Sequence, residues 1–96
     1  MGGMKSIIQK DGSRCFLCGG MIGLEEHHIF GAANRKWSEK YGLKVMLCGE
    51  ECHRLGKNSA HMNRAVCDSL KRLGQIAFEA KHSHDEFMKI FGKNYL

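Results

Sequence analysis

The sequence predicts a small α+β domain, a hairpin followed by helices, and three observations lead there. Residues 24–30 and 43–47 are short β-compatible runs that can pair as two strands. Beyond Ser59 the pattern changes to apolar residues at helical spacing: Met62, Val66, Leu70, Leu73, Ile76, Ala77 and Ala80, with Arg64, Asp68, Lys71, Arg72, Gln75 and Glu79 between them. A chain of 96 residues buries too little surface to be stable on its core alone, so a staple is expected, and four of its five cysteines form two close pairs.

Each element follows from local chemistry. Residues 1–14 carry little pattern beyond Ile7 and Ile8, enough for one short strand at most, with a turn signal at Asp11-Gly12. Cys15-Phe16-Leu17-Cys18-Gly19-Gly20 sets two thiols three positions apart with glycines behind them, a tight knuckle that aims both sulfurs inward. Between the two predicted strands, residues 32–41 are polar and basic with one tryptophan, and read as a functional loop. Gly56 and Asn58 break the chain after Cys52-His53, and Ser59 is the expected N-cap of the long helix. Ser83 with Glu86 is a capping-box signature for a last short helix carrying Phe87, Ile90 and Phe91 and ended by Gly92.

Composition narrows the function classes. Charged residues make up 26% and hydrophobic residues 43%, a globular balance rather than a disordered one. The net charge is +5 and the pI about 9.1, which favours an anionic partner. Arg35, Lys36, Lys40, Lys44, Arg54, Lys57 and Arg64 all fall in the middle of the chain, around the histidines and the second cysteine pair. No apolar run approaches the roughly 18–20 residues a membrane helix needs and no signal-peptide core is evident, so a soluble, intracellular protein without membrane contact is expected. In such a compartment thiols stay reduced, and the cysteines read as metal ligands rather than disulfides.

Cys15 and Cys18 form one pair and Cys48 and Cys52 another, at the end of a strand and the start of a turn. Four thiolates saturate a tetrahedral zinc ion and leave no place for water or substrate, so this site is read as structural. His53 is the alternative to Cys52 as fourth ligand, because Cys48 and Cys52 are separated by three residues rather than two. Cys67 lies alone beside the apolar stripe of the long helix and is read as a packed thiol.

The histidines carry the remaining signal. Cys15-x-x-Cys18, then His27-His28-Ile29, then Leu47-Cys48 leading into Cys52-His53, resembles the HNH endonuclease family, built on a treble-clef, ββα-metal scaffold. The resemblance covers about residues 13–66, within a single domain spanning 1–96 whose residues from about 67 to 96 form a helical extension. Phe30-Gly31-Ala32-Ala33-Asn34-Arg35-Lys36, Ser38-Glu39-Lys40-Tyr41-Gly42 and Ala60-His61-Met62-Asn63 are similar to a phage and bacterial subgroup, some of whose members act in recombination.

The resemblance implies hydrolysis of DNA phosphodiester bonds, with RNA as the open alternative, in the cytoplasm of a bacterial or phage-infected cell. It implies His28 as general base and His27 and His53 as ligands of a catalytic divalent ion. His61 is a further ligand or a phosphate contact, and Asn34 is the middle asparagine, orienting His28 or steadying its loop. Many relatives carry an aspartate where His27 stands. A histidine-rich site leaves the ion open among Mg2+, Mn2+, Ni2+ and Zn2+. Arg35, Lys36 and Lys40 are the candidate phosphate contacts, Trp37 is read as packing against its own domain, and His82 and His84, outside the motif, as solvated or core imidazoles. Neighbours on a strand point to opposite faces, so a strand end or bulge must bring His27 and His28 to one site. The competing reading is a non-catalytic zinc module that binds nucleic acid or protein and has no need of the three histidines.

Overall fold

The computed structural model describes residues 5–10, 12–54, 56 and 59–96. Asp11, Lys57 and Asn58, singled out above for a turn, for charge and for a helix break, lie outside them, as does the side chain of Arg54.

Strands β1 (Leu24–His28) and β2 (Lys44–Cys48) form the expected antiparallel pair. Their register, Leu24 opposite Cys48 through His28 opposite Lys44, runs without an inserted residue. Pleating then divides the side chains: Glu25, His27, Val45 and Leu47 share one face, and Glu26, His28, Lys44 and Met46 the other. Val45 and Leu47 are almost fully buried, so the first face looks into the core.

Residues 32–41 are not a loop. Ala32–Asn34 forms a 3₁₀ turn and α1 (Arg35–Tyr41) follows it. The stretch holds no proline and no glycine after Gly31, and its Arg, Lys and Glu are good helix formers. Its inner face escapes an apolar pattern because the residue it buries is Ser38, whose Oγ donates to Phe30 O (2.7 Å) and accepts from Phe30 N (3.0 Å). Gly42 stops the helix at φ +70°, a left-handed conformation that favours glycine. A Cβ there would also collide with the carbonyl oxygen of Lys5.

The lead-in forms no strand among its described residues, although it lies along β2. Ile7 N donates to Gly42 O (3.0 Å), and Met46 N donates to the side chain of Gln9 (2.7 Å), which takes the place of a third strand's carbonyl.

Helix α2 (Arg64–Glu79) begins four residues later than Ser59 implies. Its cap is Asn63, whose Oδ1 accepts from Val66 N (3.2 Å), while Ser59 Oγ serves Met62 N in a separate turn. The buried stripe is also rotated from the predicted one. Leu70, Gly74, Gln75 and Phe78 face inward, whereas Met62, Leu73 and Ile76 are exposed. The inner row advances by four through Gly74, where a Cβ would meet the Phe30 ring at 2.9 Å, so a residue without a side chain marks the closest approach of helix and hairpin.

Helix α3 (His84–Phe91) has the predicted ends: Ser83 Oγ accepts from Glu86 N (3.1 Å), and Gly92 closes it at φ +77°. Phe30, from the end of β1, lies 5.6 Å from Phe87 and 4.5 Å from Phe91, and Phe78 lies 5.6 Å from Phe87 between ring centroids. This aromatic cluster fastens both C-terminal helices to the hairpin. Trp37 is half-buried against the core with its ring along Tyr41, and His82 stacks on Phe78, as domain packing predicts for both. Among the described residues no helix is long and apolar enough to cross a membrane.

Candidate metal centres

Among the described residues three groups of side chains could hold a metal ion. In the first, one sulfur from each of Cys15, Cys18, Cys48 and Cys52 comes together, all within 4.8 Å of one another. The knuckle is closed by Cys15 N donating to Gly20 O (2.7 Å) and Gly19 N donating to Cys15 O (2.9 Å), with Gly19 at φ +78°. Strand pairing adds Cys48, opposite Leu24, and a π-helical turn (Gly49–Arg54) swings Cys52 back to it.

Tetrahedral M–S bonds of about 2.3 Å require S···S edges of about 3.8 Å. Cys18 Sγ and Cys48 Sγ stand 3.7 Å apart. Electrostatics point the same way. Burial pushes the Cys15 thiol up, but hydrogen bonds from the backbone of Cys18, Cys48 and Leu17 outweigh it and hold it down to about 6. Burial and then the neighbouring thiols push Cys52 well above its ordinary value. Four sulfurs so close cannot all ionise without a cation between them. The group can hold a metal ion, and it uses Cys52 rather than His53.

His53 belongs to the second cluster, with His27 and His61. Its ring lies 5.1 Å from His27 and 4.7 Å from His61, and the His27 and His61 rings are 5.5 Å apart. One ring nitrogen from each lies within 4.8 Å of the others. His27 reaches the cluster from the inner strand face, His53 from the π-helical turn beside Cys52, and His61 from the turn after Ser59. The connection is direct, since Ala60 N donates to Cys52 O (2.7 Å) and His61 N to His53 O (3.1 Å).

His27 is buried, and its Nε2 has no hydrogen-bond partner among the described residues. Such an atom costs about 1–3 kcal/mol when it is left unpaired. Burial first, then His53, His61, His28 and Lys71, lower its pKa to about 4, so the ring is neutral at pH 7 and its lone pair is available. His53 Nδ1 donates to Glu25 Oε1 (2.8 Å), which leaves Nε2 as the ligand nitrogen and supplies the outer carboxylate typical of metal-bound histidines. A Cβ at Gly49 would come within 2.8 Å of that carboxylate, so the glycine keeps room for it. These three histidines fit a divalent ion.

Replacing Glu25 with alanine is accordingly expected to weaken divalent-ion binding at the histidines about 10–100-fold and to leave the metal content of the cysteine cluster unchanged. Competitive titration with a chromophoric chelator measures the first, and elemental analysis the second.

His28 lies at the end of β1, on the strand face opposite His27. Both nevertheless line one cavity of about 280 Å³, shared with Glu26, Arg35, His53 and His61. The strand end, not a bulge, resolves the alternation. His28 Nε2 donates to Glu39 Oε1 (3.0 Å), and Lys44 Nζ lies against both Glu39 and Glu26, the latter at 3.2 Å. The hydrogen bonds from Lys44 and then His28 hold the Glu39 carboxyl down to about 2. Glu26, His28 and Glu39 thus already carry a cation, the Lys44 ammonium, between the two carboxylates.

Two expectations about single residues change. The side chain that holds His28 is Glu39, not Asn34, which occupies the N-cap position of α1 without a side-chain capping bond. Of the three basic candidates on α1, Arg35 lines the histidine cavity, whereas Lys36 and Lys40 lie over the Trp37 ring at 5.1 and 5.5 Å. Glu25 was legible in principle, two residues before His27 and so on the same strand face. Glu39 and Lys44 become neighbours of His28 only through the hairpin register and the folding of α1.

No family model, curated protein or solved structure matches this chain.

Proposed function

We propose that the protein is a metal-dependent endonuclease of the HNH type, a zinc-stapled treble clef that hydrolyses phosphodiester bonds in DNA. The observation that carries this reading is the convergence of His27, His53 and His61, one of them with a buried and unpartnered nitrogen, on a cavity that also holds His28 and Arg35.

In this reading the cysteines hold zinc and play no chemical part, since four thiolates leave it no open position. His27, His53 and His61 hold an exchangeable divalent ion. Three imidazoles favour manganese, nickel or zinc over magnesium. When bound, that ion acts as a Lewis acid on the scissile phosphate and steadies the leaving oxygen.

The rest is done by the chain itself. Glu39 accepts the Nε2 proton of His28 and so leaves Nδ1 as the basic nitrogen, ready to take a proton from the attacking water. Lys44 keeps Glu39 ionised and in place. Arg35, which lines the cavity, offers a fork of donors to a phosphate oxygen. A module that only binds has no use for a buried, unpaired imidazole beside a carboxylate-held histidine.

Relaxation of supercoiled plasmid tests the reading, with manganese, magnesium or chelator added to parent and His28→Ala protein of equal zinc content. The parent is expected to cut with a divalent ion and not with chelator, and His28→Ala to cut about 10²-fold more slowly or less. Equal cutting by His28→Ala contradicts the general-base assignment. Absence of cutting by the parent on DNA and RNA with every ion favours the binding module.

A further inference from the structure

A second cavity, of about 400 Å³, adjoins the histidine site, and His61 lines both. Its walls come from the start of α2 and from the C-terminal tail: Arg64, Lys71, Lys93 and Tyr95. Asp68, the acid among its lining residues, sits 3.6 Å from Arg64 on the same helix. The two lysines are placed differently. Lys71 Nζ and Lys93 Nζ lie 5.5 and 5.3 Å from the centroid of the Tyr95 ring, and neither forms an ion pair with a described carboxylate.

The tail that carries Lys93 is tied down from inside. Gln75 is fully buried on α2, and a buried amide must find partners. Gln75 Nε2 donates to Glu79 Oε2 (2.7 Å) on its own helix, and the tail supplies the rest: Tyr95 N donates to Gln75 Oε1 (2.7 Å), and Gln75 Nε2 donates to Asn94 Oδ1 (2.8 Å). Tyr95 in turn packs 5.8 Å from Phe30. A core glutamine therefore fixes the tail so that Lys93 joins Lys71 at the Tyr95 ring, beside the histidine cavity.

We infer that this groove is the track of the DNA strand, and that Lys71 and Lys93 hold backbone phosphates beyond His61. The inference rests on the nuclease reading for the strand's course through the histidines. Charge selects the occupant: the chain is basic overall, and the two cavities, joined at His61, are lined by Arg35, Arg64, Lys71 and Lys93 against the acids Glu26 and Asp68. The groove also shifts the phosphate contacts from Lys36 and Lys40, which line neither of these two cavities, to Lys71 and Lys93, which do line one.

Fluorescence anisotropy of a short labelled DNA duplex tests this on zinc-loaded protein with no second metal, so that binding is read without cutting. In the double variant Lys71→Ala with Lys93→Ala, Kd near about 0.1 M salt is expected to rise about tenfold or more, and the slope of log K against log salt to shrink by about two. Lys36→Ala with Lys40→Ala removes the same charge from α1 and is expected to change Kd by less than about twofold. Should the first double variant melt early, Lys93→Gln alone, on the tail, is expected to reduce the slope by about one.

Equal losses in both double variants would mean that net charge alone governs binding, and would overturn the groove, as would an unchanged slope or a parent that binds no DNA. Tighter binding of RNA than of DNA overturns the choice of occupant. Lysine-dependent binding without cutting under any metal leaves the groove standing and contradicts only the nuclease reading. Cutting by a parent whose Lys71→Ala, Lys93→Ala variant binds unchanged does the reverse.

Discussion

Serine in place of Cys52, or removal of the metal from the four thiolates, is expected to unfold the chain. Tetrathiolate zinc contributes on the order of 10 kcal/mol or more to small domains, against a total stability of about 5–15 kcal/mol for a domain of ordinary size. The cluster joins three segments: the knuckle at Cys15 and Cys18, the end of β2 at Cys48, and the π-helical turn at Cys52. That turn also carries His53 and anchors Ala60 and His61 by backbone hydrogen bonds, so its loss dissolves the histidine site as well. Circular dichroism with increasing chelator should show helix content falling with the loss of zinc and returning when zinc is restored. Cys67→Ser, on α2 and outside the cluster, should melt within about 1 kcal/mol of the parent. A metal-free chain that keeps its helices and melts cooperatively contradicts the staple.

The second large effect separates stability from activity. His27→Leu removes the buried nitrogen that has no partner and puts an apolar side chain beside Val45 and Leu47, on the face that looks into the core. Without a second metal, the variant should match the parent's stability or exceed it by about 1–2 kcal/mol, since the unpaired group is no longer buried. Its cleavage should fall by about 10³-fold or more, because the Lewis acid and the water it orients are lost together. Thermal melting and plasmid cutting on one preparation read both halves. A buried histidine kept only for packing gives the opposite pattern, a destabilised protein with its other properties intact.

Sequence reasoning reached the parts of this molecule that are written locally. The cysteine pairs, the strand pairing and the Ser83 cap of α3 depend on residue types at short fixed spacings, and each is present. So is the convergence of His27 with His53, because a knuckle, a hairpin and a turn after the second cysteine pair leave few places for them to go.

What escaped was set by tertiary contacts. Helix α1 hides behind a buried serine that looks polar in sequence but spends both hydrogen-bonding roles on Phe30. The inner stripe of α2 runs through Gly74 and Gln75, neither of which reads as core, although one admits the Phe30 ring and the other ties the C-terminal tail. Ser59 has the residue type of a cap, but Asn63 has the same capping chemistry and stands directly before the helix. The partner of His28 is set by the register, which puts Lys44 opposite it, and by α1, which brings up Glu39.

The central claim is that the chain holds two metal centres with separate tasks, a saturated ion on the cysteines and an exchangeable one on the histidines. Calorimetric titration of manganese into zinc-loaded protein tests it most directly. The parent is expected to take up one further ion per chain and His27→Leu none, with the zinc of both unchanged by elemental analysis. A parent that binds no second ion, or a His27→Leu protein that binds it as well as the parent does, contradicts the account.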